Sequence, residues 1–401
     1  MNATQDIRTD APADTTTDAT SGIRPFTIDI PQADLDDLRD RLARTRWAPP
    51  VGGDTWQQGV PRATLEPLVE AWQAFDWRAY EARLNELDHI AAVIDGQTVH
   101  AVHARSPHPG ATPIILTHGW PSSFLEHLHL IEPLTRPELH GGAVTDAFHV
   151  VIASVPGVGF STPIAPGADV SDAGTAAMWL ELMTRLGYER FVAHGGDMGA
   201  SISPEIARQA PERVIGVHIT GTLGSFLTAE EAATMPLSEL ERDRVARIGG
   251  FMQQEFGYIA VQGTRPSLMG AMLADSPVAQ LAWIYDKLQA WTWPAERDAI
   301  EILGLEWVLA NASLYWFTNA GGSAAYVGYA QNTAWGEQPA RSSVPTAAIQ
   351  FAHDVGIRAK AEQEHTIVRW TDIEGRGGHF GAMEEPGIVL ADLREFVRGL
   401  R

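Results

Sequence analysis

From about residue 96 onward, short apolar runs alternate with amphipathic stretches. Val99 to Ala104 alternates apolar and polar positions, whereas Pro113-Ile114-Ile115-Leu116-Thr117 is continuously apolar until its last residue. Phe148-His149-Val150-Val151-Ile152-Ala153, Phe191-Val192-Ala193 and Val214-Ile215-Gly216-Val217 repeat the second pattern. Continuous apolar runs interleaved with helices predict a parallel sheet covered on both faces. Asp172 to Leu186 predicts one such helix, stopped by Gly187. The alternation breaks from about Thr222 to Glu337, where helical stretches rich in Met, Trp and Tyr predominate, as in Leu281-Ala282-Trp283-Ile284-Tyr285. Strand runs resume at Thr346–Phe351 and Thr366–Trp370, and Ile388 to Leu400 closes the chain as an amphipathic helix. A helical block between core strands predicts a cap over the C-terminal edge of an α/β sheet.

Ahead of the sheet, Leu35, Leu38 and Leu42 recur at helical spacing within Pro31–Trp47. Asp34, Asp36 and Asp37 come early there and Arg41, Arg44 and Arg46 late, a polarity that suits the helix dipole. Trp47, Trp56, Trp72 and Trp77 are expected to pack in the core. Residues 1–22, rich in Thr, Asp and Ala, are expected to form a disordered tail.

Composition narrows the partners more than the fold. The 401 residues are 45% hydrophobic and 20% charged, as in a globular protein. The net charge of −21 argues against nucleic acid or an anionic membrane as partner. No cysteine is present, which excludes disulfides, thiolate catalysis and Cys-ligated metal. No apolar stretch of roughly 18 residues predicts a membrane span, and no signal-peptide pattern is expected at the N-terminus, so a cytoplasmic location is expected.

The candidate chemistry centres on Ala193-His194-Gly195-Gly196-Asp197-Met198-Gly199-Ala200. An apolar run enters a Gly-rich turn that opens a helix, the form of a nucleophile elbow with Asp197 at its apex. Gly195 and Gly199 would let strand and helix pack closely, and the helix N-terminus favours a carboxylate and a developing oxyanion. Such a nucleophile needs a base for water, an acid that orients the base, and oxyanion donors. His379, in Gly377-Gly378-His379-Phe380 between the last strand and the last helix, is the candidate base. Asp354, directly after the strand ending at Phe351, is the candidate acid; Glu362, Glu364, Asp372 and Glu374 compete but follow no buried run. The His118-Gly119-Trp120-Pro121 turn offers the Trp120 N–H as one oxyanion donor, and Met198 N–H offers the other. His118 itself is expected to be structural.

Other chemistries fit poorly. Glu126-His127-Leu128-His129 and the pair His100 and His103 lack a third ligand at metal-site spacing, so no metal is expected. Gly157-Val158-Gly159-Phe160-Ser161 is neither a dinucleotide fingerprint nor a phosphate loop, and no cofactor is expected. No Gly-x-Ser-x-Gly occurs, which removes the simplest serine esterase.

Assembled in this order, the motifs resemble the microsomal-type epoxide hydrolases of the α/β-hydrolase fold, particularly soluble bacterial members. The resemblance runs from about residue 24 and rests on Arg24-Pro25-Phe26…Arg46-Trp47, His118-Gly119-Trp120-Pro121-Ser122-Ser123 and Gly377-Gly378-His379-Phe380. It also rests on Gly257-Tyr258-Ile259-Ala260-Val261-Gln262-Gly263-Thr264-Arg265-Pro266 with Ala274-Asp275-Ser276-Pro277 after it. It implies an α/β-hydrolase core at 96–221 and 341–401, a helical cap at 222–340 and an N-terminal wrapping region at 23–95. It implies Asp197 as nucleophile, His379 as base and Asp354 as orienting acid, with Tyr258 and a second cap tyrosine holding the epoxide oxygen. Tyr329, in Tyr329-Ala330-Gln331-Asn332, fits the family pattern for the second better than Tyr326. Met198 stands where the family usually has Trp, which keeps the backbone donor and reshapes the pocket floor. Pro204, early in the elbow helix, is expected to remove a backbone hydrogen bond or kink the helix.

The activity expected is hydrolysis of a small apolar or aromatic epoxide by water to a diol. A haloalkane or haloacid dehalogenase uses the same Asp–His–Asp set, but Met198 removes the indole that would hold a halide. A non-catalytic binding protein on the same fold is the other alternative. The oligomeric state stays open, with a homodimer as one option.

Overall fold

The computed structural model describes residues 22–49, 52–225, 227, 229–332 and 340–401. Apart from Gly22, the expected N-terminal tail lies outside the described residues. Among these residues nine strands form one sheet: β1 (Ile23–Pro25), β2 (His89–Ile94), β3 (Gln97–Ala104), β4 (Thr112–Thr117), β5 (Phe148–Ala153), β6 (Phe191–Gly196), β7 (Val214–Thr220), β8 (Pro345–Gln350) and β9 (Thr366–Asp372). Their spatial order is β1-β2-β3-β5-β4-β6-β7-β8-β9. The pairings from β5 through β4 to β9 are parallel, as the continuous apolar runs predict. The β1, β2, β3 side is antiparallel.

The antiparallel side differs from the sequence expectation in two ways, each with a physical cause. Asp95 and Gly96 both take positive φ, 49° and 85°, and close a two-residue hairpin between β2 and β3. The partner strand β2 buries Ala91 and Ala92 side by side and exposes Val93, so its apolar residues follow no strand periodicity. On β3 the alternation does not mark a solvent face, because His100 and His103 are buried. His100 Nδ1 lies 2.8 Å from Ser154 Oγ and His103 Nε2 lies 2.8 Å from Tyr188 OH, which replaces the lost water contacts.

The N-terminal region adds three helices, α1 (Gln32–Ala43), α2 (Arg62–Gln73) and α3 (Trp77–Leu84). Leu35, Leu38 and Leu42 of α1 are buried as their spacing predicts. Trp72 and Trp77 are core residues, but Trp56 is 43% exposed. The Trp72 indole N–H donates to Ser313 Oγ at 2.8 Å, tying this region to the cap 241 residues later.

Helix α4 (Ile131–Thr135) follows the β4 turn, and α5 (Asp172–Arg185) and α6 (Met198–Gln209) flank β6. Helix α6 runs on through Pro204 to Gln209. Between β7 and β8 come α7 (Ala229–Thr234), α8 (Glu239–Gln254), α9 (Gly257–Gln262), α10 (Pro266–Asp275), α11 (Pro277–Trp291), α12 (Ala299–Leu303), α13 (Leu305–Phe317) and α14 (Ala320–Asn332). The chain ends with α15 (Arg358–Glu364), α16 (Gly381–Glu384) and α17 (Pro386–Arg398). Cap and sheet share one apolar core, in which Ile114–Leu116, Val150–Ala153 and Phe191–Ala193 are fully buried beside Leu281, Ile284 and Leu314. Among the described residues no helix is long and apolar enough to cross a membrane.

Candidate active site

Asp197 stands between the last residue of β6 and the first of α6, with φ 52° and ψ −118°. A residue with a Cβ rarely adopts this backbone, and such strain is held only where the surroundings enforce it. Here the surroundings are close-packed backbone. A Cβ on Gly195 would lie 2.6 Å from the Gly199 backbone, and one on Gly199 would run into the Thr117 carbonyl. The turn therefore cannot relax without prising β6 from α6 and β4.

The turn after β4 completes one side. The Trp120 N–H donates to Asp197 Oδ1 at 2.9 Å. Gly119 is required there, because a Cβ would occupy the position of the carboxylate. His118 orients the turn: its Nε2 accepts the Val155 N–H at 3.1 Å, which leaves the Nδ1 proton for Gly119 O, also at 3.1 Å. Burial lowers the His118 pKa to about 4, so the ring is neutral. Met198 N–H opens α6, among the first helix amides that lack an intrahelical acceptor.

Cap helix α13 pins this turn, through residues that sequence reasoning missed. Asn311 Nδ2 donates to Pro121 O at 2.8 Å, and its Oδ1 accepts from Ser123 Oγ at 2.8 Å. One turn on, the buried Tyr315 hydroxyl donates to Ser122 O at 2.8 Å. Asn311→Ala would orphan a buried carbonyl, and is expected to destabilise by about 1–3 kcal/mol. A urea titration checks this, and an unchanged midpoint would refute it.

His379 Nε2 lies 3.2 Å from Asp197 Oδ2, and the side chains are 12% and 26% exposed respectively. Burial pulls the imidazole pKa down, but the hydrogen bond and charge of Asp197 and the charges of Asp354 and Glu126 outweigh it. The net result is a pKa raised to about 8. Asp354 is buried, and burial raises its pKa to about 6 against the Phe351 N–H, 2.7 Å from Oδ2, and the charge of His379. It therefore acts on His379 through charge, its own hydrogen bond being to the Phe351 amide.

Tyr258, on α9, reaches the same place from the cap. Its ring stacks on Trp120 with centroids 5.1 Å apart and an interplanar angle of 17°. Trp291 closes the aromatic wall, 5.4 Å from Tyr258 and 5.0 Å from His379 between centroids. Burial, then the charges of Asp197 and Glu255, push the phenol pKa well above its usual value, so it stays protonated.

Asp197, His379, Asp354, Tyr258 and the Trp120 amide are thus brought together, and Tyr329 is not. Helix α14 turns Ser323, Val327 and Gln331 inward: Ser323 Oγ donates to Gly157 O, Gln331 Nε2 to Asp172 Oδ1, and Val327 is 1% exposed. At about 100° per residue Tyr329 falls on the opposite side of the helix. It is 41% exposed and stacked on Tyr326, with centroids 5.8 Å apart. Glu126 was missed as a member of the site. It is 8% exposed and electrostatically coupled to His379 and Asp197, and burial raises its pKa to about 7.

A carboxylate at a strained elbow, a histidine after the last strand and a cap between β7 and β8 define an α/β-hydrolase. The family model for the alpha/beta hydrolase fold matches residues 112–293, and that for the epoxide hydrolase N terminus matches 23–127. A putative epoxide hydrolase of Stigmatella aurantiaca is 41% identical over 95% of this chain and 86% of its own length. Epoxide hydrolase 1 of Oryctolagus cuniculus is 30% identical over 94% of this chain and 88% of its own. Among solved structures, that of Aspergillus niger epoxide hydrolase has a TM-score of 0.81 at 29% identity, covering 94% of this chain and 96% of that one. Juvenile hormone epoxide hydrolase of Bombyx mori gives 0.84 at 26% identity, covering 94% and 95%. The chain belongs to the epoxide hydrolase family, as a hydrolase with the N-terminal region of that family.

Proposed function

We propose that this enzyme opens an apolar or aromatic epoxide in two steps, through an ester on Asp197. The observation that carries the reading is the division of labour between the two Asp197 oxygens. Oδ1 is held by Trp120 N–H and Oδ2 faces His379. Oδ2 attacks one ring carbon; the C–O bond breaks, its electron pair goes to the ring oxygen, and the Tyr258 phenol protonates that oxygen. Oδ1 remains as the ester carbonyl in the oxyanion hole. His379 then takes a proton from water, and hydroxide adds to the Asp197 carbonyl carbon. The Trp120 and Met198 amides hold the tetrahedral oxyanion. Collapse breaks the bond to Oδ2, the diol leaves with the proton from His379, and the second water proton restores Tyr258. The wall of Trp120, Tyr258 and Trp291 supports an apolar substrate, and a cytoplasmic location remains part of the reading.

The test is a single turnover in heavy-oxygen water. Label is expected in the Asp197 carboxylate and not in the diol; label in the diol would overturn the ester route. Tyr258→Phe is expected to slow ester formation by about 10²-fold or more. Tyr329→Phe should cost much less, since Tyr329 is exposed and stacked on Tyr326. Rapid-quench measurement of the ester compares the two.

The pH dependence follows from the same geometry. In the resting site Asp197 is the main group raising His379 to about 8. Esterification removes that charge and that acceptor, so the imidazole pKa falls when Asp197 is alkylated. The base is thereby delivered in its neutral form. Ester decay in single turnover is expected to rise with pH through an apparent pKa below 8 and then level off. A midpoint above 8 would contradict it.

A further inference from the structure

Glu384 closes α16, five residues after His379, and forms no ion pair among the described residues. Its two carboxylate oxygens accept three backbone N–H groups instead. Oε2 accepts from Gly378 at 2.8 Å and from Trp293 at 2.9 Å, and Oε1 accepts from Phe380 at 3.0 Å. The amides on both sides of the histidine thus end on one side chain. The third comes from the cap, two residues beyond α11. The His379 N–H crosses the same gap in return, donating to Trp291 O at 2.8 Å. A Cβ on Gly378 would lie 2.6 Å from Glu384 Oε1, so the loop has no slack against the carboxylate.

We propose that Glu384 is a positioning residue, holding the His379 loop and the Trp291–Trp293 end of the cap in one hydrogen-bonded unit. The base is then kept at Asp197 and the aromatic wall over it. This rests on the reading in which His379 activates water against the Asp197 ester. A carboxylate suits the task because all its lone pairs accept, whereas an amide presents one acceptor oxygen and an NH2 group with two donors. Ester formation needs Asp197 and Tyr258, which Glu384 reaches only indirectly, through the Trp291 ring beside Tyr258. Ester hydrolysis needs the imidazole in place, and a displacement near 1 Å can cost about 10²-fold.

The experiment compares Glu384→Gln and Glu384→Asp with wild type by rapid-quench mass spectrometry, scaled to active sites titrated in each sample. Glu385→Gln is the control, since it breaks only the exposed pair with Arg376. Ester hydrolysis is expected to slow by about 10- to 100-fold in both Glu384 variants, with ester formation changed far less. The ester should then accumulate in the steady state, with kcat and KM falling together. Equal loss of both steps, or a wild-type partition between them, overturns the proposal. Should the Gln variant not fold, the Asp variant and amide exchange at Gly378, Phe380 and Trp293 decide. These three amides are expected to lose protection together, and independent loss overturns the clamp. Failure of the ester route would show separately, as turnover retained by Asp197→Ala. The Glu384 proposal fails alone if His379→Gln traps the ester while the Glu384 variants partition like wild type.

Discussion

Asp197→Ala is expected to abolish epoxide turnover, by at least about 10⁴-fold, while leaving the fold intact. The attacking oxygen is lost outright, and no neighbour replaces it. Glu126 and Asp354 are buried on other segments of the chain, and Asp354 Oδ2 is committed to the Phe351 N–H. The backbone cost at φ 52° is unchanged, because alanine also carries a Cβ. Removing the carboxylate also relieves its repulsion with Glu126. The Trp120 N–H and the His379 imidazole lose a partner in return, so the melting temperature of the variant is expected to stay close to wild type. Diol formation measured by chromatography, beside a thermal melt, checks both halves. Wild-type turnover would refute the nucleophile assignment, and a collapsed melt would show that Asp197 holds the elbow together.

His379→Gln separates the two steps and is the second large effect. The amide keeps much of the imidazole's volume but cannot accept a proton from water near neutral pH. Ester formation should continue to one equivalent per site and then stop. The peptide that carries Asp197 should gain the full mass of the substrate, because ring opening adds every atom of the epoxide. Displacement of a halide would instead leave the adduct lighter by the departing group, so the same spectrum tests the dehalogenase alternative. Continued turnover without an adduct would remove His379 from the role of base.

The elbow was legible in the sequence because its cause is local. Two glycines at fixed spacing around Asp197, an apolar run before and a helix after, are what a sharp strand-to-helix turn needs, and the Cβ positions at Gly195 and Gly199 show why. His379 was legible for a similar reason, sitting in a glycine-rich turn at the end of the last strand. The parallel half of the sheet followed from continuous apolar runs, which only a doubly covered strand tolerates. Strand β2 was not legible, since its buried centre is the adjacent pair Ala91 and Ala92 while Val93 is exposed, which is no alternating pattern.

What failed was helical phase and long-range pairing. Tyr329 fits a motif, but the inward face of α14 is set by Ser323, Val327 and Gln331 against Gly157 and Asp172, none of which the local sequence specifies. Asn311 and Tyr315 read as ordinary helix residues until the Pro121 turn is placed against them. Glu126 stood in a rejected metal-ligand run and Glu384 had no assigned role, because only burial and the backbone amides around them show their place.

The sequence by itself determined the local devices: a carboxyl at a bend, a histidine on a short loop, a turn that presents a backbone amide, and the order in which they come. Only the tertiary structure decided which groups face Asp197 and which face away. Side-chain identity is fixed by the chain, but direction depends on packing between segments more than 100 residues apart, where each helix settles its apolar and hydrogen-bonding face against partners it cannot encode alone.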